Sequence, residues 1–170
     1  MASLKQEIAQ QKPFDSVAEE ALLNLMRTAD AAGREFQRLV KPWGITSTQY
    51  NVLRILRGAQ PQGLTCSAIG ARMITADPDI TRLLARLKAM KLVRQQRDKN
   101  DRRVVWTQIA SEGLKLLEQI QPTIERFPRE FFTRLSENEQ SELARLLEQT
   151  RLACPASEAS CPTCDGQQHK

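Results

Sequence analysis

The residues of this 170-residue sequence best suited to metal or thiol chemistry are its four cysteines and single histidine. Three cysteines and that histidine crowd one end, spaced Cys154-x6-Cys161-x2-Cys164-x4-His169. Three thiolates and an imidazole make a donor set for tetrahedral zinc, and Cys161-Pro-Thr-Cys164 also has the spacing of a redox dithiol. The segment around them offers no aromatic support, so a metal site, a redox switch and an inert tail all stay open. Cys66 follows the helix-capping residue Thr65, where helix-terminal amides can lower a thiol pKa; the plainer reading is a small helix residue. With His169 confined to the tail, no histidine-based triad or cluster can form in the body of the chain. There is no Gly-rich phosphate loop and no paired-carboxylate motif. A thiol oxidoreductase using Cys161 and Cys164 would lack the βαβ context of that chemistry. An enzyme is not expected, nor is a cofactor.

The basic residues point elsewhere. Between Arg72 and Arg103 lie ten Lys and Arg residues against Asp77, Asp79, Asp98 and Asp101, a net charge of +6; the rest of the chain has 15 basic and 16 acidic residues. The whole excess of +5 therefore sits in one segment. Such a footprint suits a polyanion such as nucleic acid, because each neutralised phosphate releases condensed counterions. A solvated helix and hairpin is the alternative.

The remaining composition, 41% hydrophobic and 26% charged, is that of an ordinary globular chain with a substantial core. No apolar run approaches the roughly 20 residues of a membrane span, and MASLKQEIAQQKPF lacks the apolar centre of a signal peptide. A cytoplasmic protein with reduced cysteines and no membrane partner is expected.

These residues must be positioned by regular elements, and hydrophobic spacing outlines them. Phe14, Ala18, Ala21, Leu22, Leu25, Ala29, Ala32, Phe36 and Leu39 recur at intervals of three and four, predicting a long amphipathic helix that ends at Lys41-Pro42-Trp43-Gly44. A second helix runs from Thr46 or Ser47 through Leu56, and Gly58 to Gly63 is a loop. Thr65 caps a short helix carrying Ile69, Ala71 and Met73. After a turn at Ile74 to Ala76, Asp77-Pro78-Asp79 starts another, with Asp77 as the cap and Pro78 at its first position. That helix carries Ile80, Leu83, Leu84 and Leu87 on one face. Two short helices across a tight turn make a helix-turn-helix. Leu92 to Arg97 and Val104 to Ile109 are β-rich runs around a polar turn, a hairpin wing. Ser111 opens a helix expected to kink at Pro122 and Pro128, and Ser136 with Glu139 forms a capping box before a last helix. No internal repeat is present.

In that order of elements the chain resembles the MarR family of bacterial transcriptional regulators. The resemblance is carried by GITSTQYNVLRIL (Gly44 to Leu56), LTCSAIGARM (Leu64 to Met73), DITRLLARLKAMKLVRQ (Asp79 to Gln95) and DKNDRRVVWTQIASEGLKLL (Asp98 to Leu117). It implies a mainly α fold: a winged helix-turn-helix with a two-stranded β-hairpin wing and N- and C-terminal dimerisation helices. The corresponding division is 1–44 for the first dimerisation helix, 45–110 for DNA binding, 111–153 for the last dimerisation helices and 154–170 for the tail. The family's members are homodimers on palindromic operators, often released by small phenolic or hydrophobic ligands or by cysteine oxidation. Dimerisation also follows physically, because one winged helix is too small to cover both terminal apolar stripes. Two reading heads one turn of DNA apart then require a pseudo-palindrome with half-site centres about 10 base pairs apart. A winged-helix interaction module without specific DNA binding is the competing function.

By the resemblance, Pro78, Asp79, Thr81 and Arg82 stand at the major groove. Arginine can bind guanine O6 and N7 together, and a threonine methyl can touch thymine. An ion pair of Arg82 with Asp77 or Asp79 is the alternative. Asp79 stays open between a partner of the helix dipole and an acceptor from cytosine N4, and two acids here depart from the family pattern. The Asp-x-Arg of the wing implies Arg103, with Arg102 beside it, in the minor groove, its side chain held by Asp101 and supported by Asp98; a narrow groove concentrates negative potential there. Alternatively Arg103 only locks the hairpin. Arg97 and Lys99 fall to phosphates, and Arg86, one turn further along its helix, to a phosphate or an intramolecular role. Met26, Phe36, Trp43 and Tyr50 could line an effector pocket or be plain core. The cysteine of the family's peroxide sensors lies in the first helix, where this chain has none.

Overall fold

Four helices begin by the same local device. The hydroxyls of Ser16, Thr46, Thr65 and Ser136 each accept the backbone N–H three residues on, at 3.1, 3.1, 3.3 and 3.4 Å, satisfying a donor that the first helical turn leaves without a partner. Thr46 with Gln49 and Ser136 with Glu139 complete reciprocal capping boxes. In this computed structural model, which describes residues 3–77 and 79–154, the helices are α1 (Leu4–Glu7), α2 (Val17–Val40), α3 (Ser47–Gly58), α4 (Cys66–Gly70), α5 (Ile80–Ala89), α6 (Ser111–Phe131) and α7 (Glu137–Leu152). A 3₁₀ turn at Lys41–Trp43 closes α2, and Gly44 leaves it in the left-handed region. Strands β1 (Val93–Arg97) and β2 (Val105–Ile109) form an antiparallel hairpin pairing Val93 with Ile109 and Arg97 with Val105.

Several expectations shift. The long helix starts at Val17 instead of Phe14, because Ser16 takes the cap. The short α1 precedes it and was not expected. Helix α4 stops at Gly70, leaving Ala71 and Met73 beyond its end. As expected, the helix opened at Ser111 runs through both Pro122 and Pro128, to Phe131.

The core belongs to the middle of the chain. Val52, Leu53 and Leu56 of α3, Ile69 of α4, Leu84 and Leu87 of α5, and Leu117 and Ile120 of α6 are almost fully buried in one cluster with Leu64, Val93 and Ile109. At about 25 cal/mol per Å² of apolar surface, such burial dominates the stability of the unit. The ends contrast with it. On α2, Val17, Leu22 and Met26 are 85, 56 and 60% exposed, and on α7 Leu152 is 87% exposed. No residue of α7 is buried. Among the described residues, no helix is long and apolar enough to cross a membrane.

Two glycines fix how the pieces meet. Gly63, at φ +80°, runs so close to β2 that a Cβ would sit 2.4 Å from the Thr107 carbonyl oxygen. This approach lets Leu64 and Thr107 exchange backbone hydrogen bonds of 2.9 and 2.8 Å, tying the α3–α4 loop to the hairpin. A Cβ on Gly113 would meet the Leu92 carbonyl oxygen at 2.3 Å, so the first turn of α6 lies against the entry to β1.

Candidate nucleic-acid interface

Helix α5 presents its charges through the same spacing that buries its apolar face. Ile80, Leu83, Leu84 and Leu87 point into the core, which leaves Thr81, Arg82, Ala85, Arg86 and Lys88 outward. Its start differs from expectation. The cap is Asp79, whose Oδ1 accepts the Arg82 N–H at 2.9 Å, while the Asp77 Oδ1 accepts the Asp79 N–H at 2.8 Å. Asp77 shapes the turn one step earlier and does not cap the helix. The reason is the chain path: helical geometry begins only at Ile80, so Asp79 is the residue that flanks the first turn and reaches its Arg82 amide. Pro78 lies outside the described residues.

Two contacts hold the turn and helix in place. Asn51 of α3 accepts the Ile74 N–H through its Oδ1 at 3.0 Å, and the Cys66 Sγ lies 4.0 Å from the Thr81 Oγ1, joining α4 to α5. Cys66 is half-buried at that junction. Nothing in the spacing of Asn51 signalled its contact, which spans 23 residues.

The wing is organised by two carboxylates. Asp98 Oδ1 accepts the amides of Asn100 and Asp101 at 2.8 and 3.1 Å, and Oδ2 accepts the Trp106 indole N–H at 2.9 Å. The Asp101 amide, then the indole and the Asn100 amide, hold the Asp98 carboxyl below the ordinary aspartate range. Asp101 accepts the backbone N–H of Arg103 at 2.9 Å. The expectation that Asp101 holds the arginine's side chain is thus corrected, because its oxygen turns to the amide two residues on, as Asp does in tight turns. Nor do Asp98 and Asp101 lock the guanidinium. Trp106 is a wing residue the sequence reading did not single out; a half-buried indole needs an acceptor, and that need was its available signal.

Among the described residues ion pairs are few, and none of them falls on α5 or the wing. Those between described residues are Arg27–Glu7, Arg34–Asp30, Arg38–Glu35 and Arg145–Glu142, all on the terminal helices. Arg82, Arg86, Arg97, Lys99, Arg102 and Arg103 are exposed and make none with a described residue. Exposed cations on the outer face of one helix and on one hairpin can neutralise phosphates and reach base edges.

The other candidates divide. Phe36 and Tyr50 are in ring contact, with centroids 5.4 Å apart, and Phe36 also meets Phe127 of α6 at 5.8 Å. Burial pushes the Tyr50 phenol up, against the pull of Arg54 and Arg57. Trp43, like Phe36, packs against the core cluster that contains Tyr50, whereas exposed Met26 is not part of it. Cys154 is exposed near the Thr150 carbonyl at 4.0 Å, and Cys161, Cys164 and His169 lie outside the described residues. Among the described residues no three His, Cys, Asp or Glu side chains gather as metal ligands.

Comparison with known proteins gives this geometry a family. The MarR family profile matches residues 43–104. The homoprotocatechuate degradative operon repressor of Escherichia coli is 26% identical over 125 residues, spanning 74% of this chain and 83% of that protein. A regulator from Bordetella bronchiseptica, BpsR, whose DNA binding is regulated by 6-hydroxynicotinic acid, is 25% identical with a TM-score of 0.69, over 78% of this chain and 98% of its own. A MarR transcription factor from Planctomyces limnophilus is 36% identical with a TM-score of 0.63, over 81% of this chain and 99% of its own. With the winged helix-turn-helix architecture, these matches establish that the chain belongs to the MarR family of transcriptional regulators, a non-enzymatic family.

Proposed function

We propose that the chain acts as a homodimeric repressor on a pseudo-palindromic DNA operator. The observation that carries this reading is the set of exposed cations on α5 and the wing that make no ion pair with a described residue, in the one segment that holds the chain's whole positive excess. Arg82 and Thr81, with Asp79 and Pro78 beside them, meet the major groove; Arg103 and Arg102 meet the minor groove; Arg86, Arg97 and Lys99 meet phosphates. The regions 1–44 and 111–153 supply the dimer, because Val17, Leu22, Met26 and Leu152 leave apolar surface that a second copy would cover. The E. coli repressor named above supports the sign of regulation.

A small aromatic effector releasing the dimer from DNA fits the same reading. Its support is the aromatic column of Phe36, Tyr50 and Phe127, shared by α2, α3 and α6, which a planar ligand could pry apart, and the regulation of BpsR by an aromatic acid.

Selection of bound fragments from a random DNA pool tests the proposal. A two-fold symmetric consensus with half-site centres about 10 base pairs apart is expected. Uniform, salt-sensitive binding to every fragment would instead favour an interaction module without specific DNA recognition.

A further inference from the structure

Two groups of hydrogen bonds, joined by strand β2, lie between the body of the reading head and the tip of the wing. The Gln108 side chain of β2 donates through Nε2 to the Pro61 and Gln62 carbonyls at 2.7 and 3.0 Å and accepts Arg94 Nε at 2.8 Å. With the Leu64–Thr107 bridge, this fixes β2 to the α3–α4 loop. Two residues before Gln108 on the same strand face stands Trp106, opposite Gln96. Its indole N–H reaches back across the hairpin to Asp98, whose other oxygen holds the Asn100 and Asp101 amides. Asp101 in turn holds the Arg103 N–H. Half-buried Trp106 also lines an open groove of about 260 Å³ with Gln62, Arg97 and Lys99.

We infer that Trp106 is a positioning residue for DNA recognition: its N–H clamps Asp98, and through Asp98 and Asp101 it sets where Arg103 meets the minor groove. An indole N–H only donates, and an ionised carboxylate only accepts, so the bond cannot invert. A charge-assisted bond of this kind is stronger than a neutral one. Asp98 is left with one oxygen for two amides and the other for the indole. Without the indole, that second oxygen rotates toward solvent and the amides of residues 100 and 101 lose a fixed acceptor. Arg102 and Arg103 stay in the chain but no longer in one arrangement.

The inference rests on the DNA-binding reading, and its test separates the two. The full chain is compared with Trp106→Phe, which keeps a ring but removes the donor, and with Asp98→Asn, which keeps one oxygen for the amides but turns an NH₂ toward the indole. In random-pool selection, both variants should lose base preference at the outer, wing-facing positions, retain it at the inner positions read by α5, and bind the wild-type consensus about tenfold more weakly. The double variant should be no weaker than Asp98→Asn alone. Proton–nitrogen spectra without DNA supply the second measurement. Of two indole signals, from Trp43 and Trp106, the one missing in Trp106→Phe should move in Asp98→Asn, and amide signals of residues 99–103 should broaden in both. Unchanged outer-position preference in Trp106→Phe, or an equal loss at all positions, would overturn the inference. If the wild-type chain selects no sequence, the DNA reading fails, and unaltered amide signals at the tip would refute the clamp by themselves.

Discussion

The Asp101 carboxylate grips Arg103 by its backbone N–H, at 2.9 Å, and leaves the guanidinium exposed. An acceptor for an amide needs an oxygen but no charge. Asp101→Asn should therefore bind operator DNA nearly as tightly as wild type, or slightly better for the loss of a negative charge beside phosphates. Asp101→Ala should weaken binding several-fold, and Arg103→Ala should remove preference for a narrow A·T-rich groove. Gel-shift titrations on consensus and G·C-flanked sites check all three. A loss in Asp101→Asn as large as in Asp101→Ala would mean that charge, and hence an ion pair formed on DNA, is what matters.

The Asp79 carboxylate caps α5, and under the proposed DNA contacts it also puts a negative charge beside phosphates. Serine caps two other helices of this chain. Asp79→Ser should keep thermal stability within a few tenths of a kcal/mol and tighten operator binding, whereas Asp79→Ala should lose about 1 kcal/mol of stability. Asp77→Ala, which removes a turn bond and not a cap, should cost less than Asp79→Ala in the same melting experiment.

Local signals were the legible part of the sequence. The caps at Thr46, Thr65 and Ser136, the change of period after Lys91 and both strands to within a residue follow from chemistry acting over three or four positions. The basic surplus between Arg72 and Arg103 likewise marked the exposed faces of α5 and the wing. What escaped was decided by backbone angles or by tertiary proximity. Asp77 and Asp79 carry the same group, and only the local chain path selects the cap. The bonds of Gln108 to Pro61 and Asn51 to Ile74 join residues 47 and 23 apart. Leu22 shares the periodicity of Phe36 yet is exposed, because hydrophobic spacing cannot tell a core stripe from one a partner would cover.

Arg82 and Lys99 should separate base reading from phosphate contact. Arg82 projects near the start of α5, with its guanidinium engaged by no described acid, where a bidentate bond to guanine is reachable. Lys99, in the wing turn, offers a flexible point charge. Arg82→Ala should cost about 1–3 kcal/mol on the consensus and relax one position per half-site. Lys99→Ala should weaken all sequences alike and reduce the slope of log affinity against log salt by about 1. Matching effects from the two would refute this division.

Gly63→Ala should be the most damaging small substitution near the wing. The new methyl would fall on the Thr107 carbonyl oxygen while φ stays at +80°, so clash and backbone strain add. Relief would require the α3–α4 loop to draw away from β2, breaking the Leu64–Thr107 pair. A loss of roughly 1–3 kcal/mol is expected by chemical denaturation, accompanied by weaker operator binding. Gly33, around which a Cβ meets nothing, is the control, and Gly33→Ala should be neutral or stabilising.

The ordering of the wing should survive neutral and mildly acidic conditions and fail only in strong acid. The folded Asp98 carboxyl is held below its ordinary value of 3.8 by the Asp101 amide, the Trp106 indole and the Asn100 amide. A group depressed in the folded state contributes stability above its unfolded value and loses it as pH falls through the folded one. For Asp98 that window lies below 3.8. With Trp43 replaced by Phe, so that emission reports Trp106 alone, the spectrum should be flat from pH 8 to about pH 4.5 and shift in stronger acid. Asp98→Asn should remove the acid step while showing the shifted spectrum throughout. A titration near pH 6 would instead require an unfavourable neighbour raising the carboxyl, the opposite of what three donors do.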